Sequence, residues 1–159
     1  MLNITKKDVS PNVVMAVFAG DIGPDANFQV ALGNPTGELQ IHCKGVTRIN
    51  SVGVKAWIQY FSGLRQKGVK LKFMEVNSCL VEQVNMISNF IPTAEIASFY
   101  APYICGKCNK ELAALLTPES VKKANMQAPK IKCAQPPADG CGAEFDDMPE
   151  EYFAFLERT

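Results

Sequence analysis

The sequence predicts an α/β domain over residues 1–102, followed over residues 103–159 by a small segment that closes on a metal and ends in a helix. Three observations carry this. Between Gly37 and Met86 the apolar period switches: Leu39-Gln40-Ile41-His42-Cys43 reads as a strand, and Val54, Trp57, Ile58, Phe61 and Leu64 recur at helical spacing. Val69-Lys70-Leu71-Lys72-Phe73-Met74 then reads as a second strand, so two strands flank one helix as in a parallel crossover. After Cys108, by contrast, apolar residues thin out and Pro118, Pro129, Pro136 and Pro137 interrupt the chain, too little for a conventional core. Cysteines at 105, 108, 133 and 141 fall around that stretch.

Taken in order, Val13 to Ala19 is a short apolar strand ended by Gly20-Asp21, with Gly23-Pro24 beyond, which leaves Asp21 exposed at a strand end. Asp25 to Leu32 forms at most a short helix, because Gly33-Asn34-Pro35-Thr36-Gly37 breaks it. The crossover unit follows, with Asn50-Ser51-Val52-Gly53 at the turn into its helix and Gly68 at the helix end. Asn77 or Ser78 caps a further helix carrying Leu80, Val81, Val84 and Ile87, which ends near Asn89 ahead of Pro92. Ala94 to Tyr100 suits another strand. At the end, Asp147 caps a helix with Pro149, Glu150 and Glu151 in its first turn and Tyr152, Phe155 and Leu156 on one side, so the tail docks.

Sixteen basic and sixteen acidic residues among 159 cancel, and no strong field points to nucleic acid or an anionic membrane. No stretch approaches the ~20 apolar residues of a membrane span, and Met1 to Asp8 carry no apolar run of the secretory kind. A cytoplasmic protein without a membrane partner is expected. In that compartment thiols are buried or bind metal rather than forming a disulfide framework.

Cys105-Gly106-Lys107-Cys108 sets two thiolates a few ångströms apart, and Cys133 and Cys141 supply a second, looser pair with seven residues between them. Together they predict a structural Zn²⁺ site whose formation adds folding free energy. Four cysteines leave no open position for substrate, which disfavours catalytic zinc. A redox dithiol at Cys105 and Cys108 is the competing enzyme reading, and it lacks the strand-to-helix context of thioredoxin-like sites. His42 and Cys43 adjoin on a strand and point to opposite faces, packed or solvated rather than ligating, and Cys79 is a helix residue. With one histidine, no nucleophile elbow, no phosphate-cradling loop and no paired carboxylates, a non-enzyme is expected.

Residues 13 to about 100 resemble the STAS family, named for sulfate transporters and anti-sigma-factor antagonists. Gly20-Asp21-Ile22 is similar to that family's turn after its first strand, Gly45-Val46-Thr47-Arg48-Ile49-Asn50-Ser51-Val52-Gly53-Val54 to its switch motif, and Gly68-Val69-Lys70-Leu71 to its third strand. The tail resembles a zinc ribbon. The resemblance implies a mixed sheet with helices mainly on one face, and a binding module rather than an enzyme. In bacterial antagonists a kinase phosphorylates the serine directly before the motif's glycine. That position is Val52 here, Ser51 matches the motif's other serine, and Asn50 replaces the usual aspartate.

The expected function is a regulatory adaptor that docks a protein partner, an anti-sigma-like kinase or another regulator, through Asp21, Asn50, Ser51, Val52 and Gly53, with Ser51 the candidate phosphosite. A nucleotide at the same helix start is a weaker expectation, resting only on the attraction of helix amino ends for anions. The alternative is a nucleic-acid-associated zinc ribbon using Lys122, Lys123, Lys130 and Lys132. No aromatic stacking platform is interleaved with those lysines, so a solvated loop is preferred.

Overall fold

Strands β2 (Val13–Ile22), β3 (Glu38–Ile49) and β4 (Lys70–Met74) run parallel, and β1 (Asn3–Ser10) pairs antiparallel with β2, giving a mixed sheet in the order β1-β2-β3-β4. The structure, a computed structural model, describes residues 1–132 and 142–157. Alternation decides which face is covered. Ala16, Phe18, Leu39, Ile41, Cys43, Leu71 and Phe73 are buried on one side, while Val17, between two of them, stays 40% exposed.

Helices α1 (Phe28–Leu32), α2 (Ser51–Gln66) and α3 (Ser78–Met86) follow strands of this sheet. Helix α2 begins where the Asn50 side chain accepts the Gly53 N–H at 2.8 Å. It ends at Gly68, whose φ of 81° terminates the last turn. Its buried stripe of Trp57, Phe61 and Leu64 lies on the covered face of the sheet. The Trp57 ring sits 5.5 Å from Phe73, 6.0 Å from Phe18 and 5.0 Å from Phe90, and its indole N–H donates to the Phe90 carbonyl at 3.2 Å. That donor bond removes the cost of burying a polar group with the ring. Helix α3 is fastened to β3 by Asn77, whose amide donates to the Lys44 and Val46 carbonyls at 3.1 and 2.9 Å.

A second sheet, ordered β6-β5-β7, is built from antiparallel strands β5 (Phe99–Cys105), β6 (Glu111–Leu116) and β7 (Ala143–Phe145). Two short helices complete this part, α4 (Pro118–Lys123), with a Thr117/Ser120 capping box, and α5 (Pro149–Tyr152), followed by a 3₁₀ turn at Ala154–Glu157. The tail docks on α3: the Asn85 amide donates to the Tyr152 carbonyl, and its oxygen accepts the Phe155 N–H, each at 2.9 Å. One continuous apolar core runs from Ala16 in β2 to Leu156 in the last turn.

The mixed α/β class follows the sequence reading, and several details depart from it. Strand β1 carries no apolar signal because it is an edge held by its ladder to β2, with Ile4 its only half-buried residue. Strand β3 continues past Cys43 to Ile49, through a bulge where Gly45 faces Ala19. The strand expected over 94–100 lies at 99–105, across residue 102, and joins the second sheet. The proline-rich stretch holds β6 and α4, and buried Leu116 and Val121 tie it to the common core. Met148 rather than Asp147 occupies the N-cap of α5, and the Asp147 carboxylate accepts the Met148 N–H. Cys43 is buried, which pushes its thiol far up, while His42 turns to the opposite face, 3.9 Å from Glu75. Among the described residues, no helix is long and apolar enough to cross a membrane.

Because Trp57 joins both strands and the Phe90 loop, Trp57→Ala should cost about 3–5 kcal/mol of unfolding free energy by urea titration. A loss below about 1 kcal/mol would show that this ring does not hold the helix to the sheet.

Candidate functional site

At the carboxyl ends of β2 and β3 the chain turns twice, once through Asp21–Asp25 and once into α2, the usual place for function in open α/β sheets. The two turns are tied together. The Asn50 N–H donates to the Ile22 carbonyl at 3.1 Å, and Gly53 in the first turn of α2 rests on the same group. A Cβ on Gly53 would lie 2.4 Å from the Ile22 oxygen, so no larger residue fits unless helix and strand move apart. The sequence needs glycine at this place for closeness of approach.

This contact aims the first turn outward. Ser51 and Val52 are exposed, Val52 by 51%. Asp21 and Arg48 are cross-strand neighbours, and the Arg48 guanidinium meets the carboxylate at 2.7 Å while the Thr47 hydroxyl donates to its other oxygen. Those hydrogen bonds, the Arg48 one first, hold the Asp21 carboxyl well below the usual carboxylate range, at about 2. Beside them lies an open groove of about 420 Å³, lined by Asp21, Ile22, Pro24, Arg48 and Asn50. Asp21, Asn50, Ser51, Val52 and Gly53 therefore share one rim of the sheet. Thr47 and Arg48 belong to it as well, and sequence analysis missed them, although Arg48 stands two residues before Asn50 in the quoted motif. No signal within either strand marks them, because the pairing depends on the register between β2 and β3.

The second group of candidates sits on the other sheet. Cys105 closes β5, and the turn after it carries Cys108, whose N–H points at the Cys105 sulfur across 3.4 Å. Amide protons of Cys108, Lys107 and Gly142 stabilise a thiolate there and bring the Cys105 thiol down to about 6. Gly142 thus reaches the turn from the other side, and its carbonyl accepts the Gly106 N–H at 3.2 Å. Ile131 pairs with Ala143 in an antiparallel bridge. Cys133 and Cys141 lie outside the described residues, and in sequence each stands within two residues of that bridge. Among the described residues alone, no three His, Cys, Asp or Glu side chains gather to hold an ion. Lys122 and Lys123 on α4, with Lys130 and Lys132 beyond it, are all exposed.

No protein-family profile matches this chain, and no curated protein does so either.

The fastening of Asp21 makes a signed prediction. Its folded pKa lies below the ordinary 3.8, so the contact is intact above about pH 4 and is lost as pH falls through about 2. Carboxyl ¹³C titration should place the Asp21 midpoint near 2 and, in Arg48→Ala, closer to 3.8. A wild-type midpoint at 3.8 would mean that the ion pair does not form in solution.

Proposed function

We propose that this chain is a non-catalytic regulatory adaptor of the STAS type, which docks a protein partner through the first turn of α2 and the Asp21 turn beside it. The observation that carries the proposal is the outward-facing Ser51-Val52 pair on a turn braced by Asn50 and Gly53 against the Ile22 carbonyl. Exposed, preorganised side chains bind without first ordering a loop, which lowers the entropic cost of association. Val52 supplies apolar area at the centre, and the Asp21–Arg48 pair supplies a charged border.

Regulation falls to Ser51, since Val52 has no hydroxyl to modify. A phosphate on Ser51 would stand in the first turn of a sixteen-residue helix, where exposed amide protons and the helix dipole favour negative charge. It would also add bulk and charge beside Val52, so modification releases the partner. Intact mass measurement on protein from the native host should show a phosphate adduct that Ser51→Ala lacks. Affinity capture from the same host should recover a partner with wild type and Ser51→Ala, and at least about tenfold less with Val52→Asp. Equal recovery with Val52→Asp would place docking elsewhere.

In the same proposal the tail is a zinc ribbon. Cys105 and Cys108 fit as one half of the ligand set, because the amides around Cys105 favour the thiolate that zinc requires. Cys133 and Cys141 would complete it, and zinc would supply structural cohesion there. Purified protein should hold about one zinc per chain, with Cys105→Ser abolishing it and lowering the melting temperature. Less than about half an equivalent in native protein with its thiols reduced would overturn the assignment.

A further inference from the structure

Among the described residues the two sheets have four edges, and three are protected. Strand β1 presents Lys6, Lys7 and Asp8 along its exposed length, charges that oppose pairing with a foreign strand. The outer side of β4 is covered by the chain entering β5, through bridges from Phe73 to Ile96 and from Val76 to Phe99. The outer side of β7 is met by Ile131. Strand β6 differs. Among the described residues it pairs with β5 alone, and beyond Glu111 it reads Leu112-Ala113-Ala114-Leu115-Leu116, with no charge, proline or bulge. Leu115 on this strand is 49% exposed.

The hydrogen-bonding phase of β6 follows from its register. The Cys105 N–H donates to the Lys110 carbonyl at 3.0 Å, and Ile104 faces Glu111 across the ladder. In an antiparallel ladder the bonded pairs alternate, so Leu112, Ala114 and Leu116 turn their backbone groups to β5. Glu111, Ala113 and Leu115 turn theirs to the free edge.

We infer that β6 is an interface between two copies of this chain, joined edge to edge as antiparallel strands about a twofold axis at Ala114. The strand complements itself in that register. Ala113 of one copy faces Leu115 of the other, twice over, so a small side chain meets a large one on the exposed face. On the inner face Leu112 meets Leu116, and Ala114 meets its own copy. No like charges oppose each other, and the outward backbone groups of Ala113 and Leu115 form about four hydrogen bonds across the axis. The two three-stranded sheets become one continuous sheet, ordered β7-β5-β6-β6-β5-β7. A second copy is the occupant because it brings an uncharged strand with this small–large pattern, and an isologous contact closes at two. The inference rests on the second sheet and is independent of the role proposed for Ser51.

Sedimentation equilibrium of the full chain, at loadings that cover Kd values from about 1 µM to about 1 mM, tests it. Wild type should fit a monomer–dimer equilibrium. Ala113→Pro removes an N–H aimed at the free edge and spares the ladder to β5. Leu115→Lys puts a guarding charge on an exposed position. Each should weaken association at least about tenfold. Circular dichroism and melting temperature report whether each variant stays folded, and Leu115→Lys, altered at an exposed side chain, keeps the test decisive if the proline variant unfolds. A wild type that stays monomeric throughout, or dimers that both folded variants leave unchanged, would overturn the inference.

Discussion

The contact of α2 with the Ile22 carbonyl is the constraint on which the rest of the first sheet depends. One oxygen at the end of β2 accepts the Asn50 N–H and abuts Gly53. The cap of the helix and the end of the strand are therefore one structure, which sets where the axis of α2 starts over the sheet. From that start, Trp57 and Phe61 arrive one and two turns later against Phe73. The same contact aims Ser51 and Val52 outward. Packing energy in the core and presentation at the rim thus share a cause, which is why a change at residue 53 reaches both.

Much of this first unit was legible in the sequence, for physical reasons that attach to particular residues. A buried helix face and two strands with strict alternation leave strong periodic signals, and Asn50, Asn77 and Gly68 mark helix ends by local chemistry. Strand β1 left no such mark, since its Lys6-Lys7-Asp8 run is solvated and its order comes from the ladder to β2. The bracing of Asp21 was also hidden. It depends on the register that sets Asp21 beside Arg48, and register is a property of two strands rather than of either one.

The second half teaches the opposite lesson about composition. Its apolar residues are sparse, and the cysteine spacing points to a metal that adds folding free energy beside a docked terminal helix. The apolar packing is nonetheless substantial: β5 buries Phe99, Ala101, Tyr103 and Cys105 on one face, and Phe153 and Phe155 return from the tail to pack on Phe99. Few apolar residues suffice because they add to an existing core rather than build a new one. The Cys105 turn then lies at the far end of β5, beyond these buried rings.

Hydrogen exchange at the Gly53 amide measures most directly whether the first turn of α2 is braced in the free protein. Bonded to Asn50 and buried against Ile22, this amide should exchange only through large-scale opening, with protection close to that of the core strands, and Asn50→Ala should lower its protection by at least about tenfold. Exchange at the rate of an unstructured amide in the wild-type protein, while the core stays protected, would contradict this bracing, because the turn proposed for docking would then be unformed in the free protein.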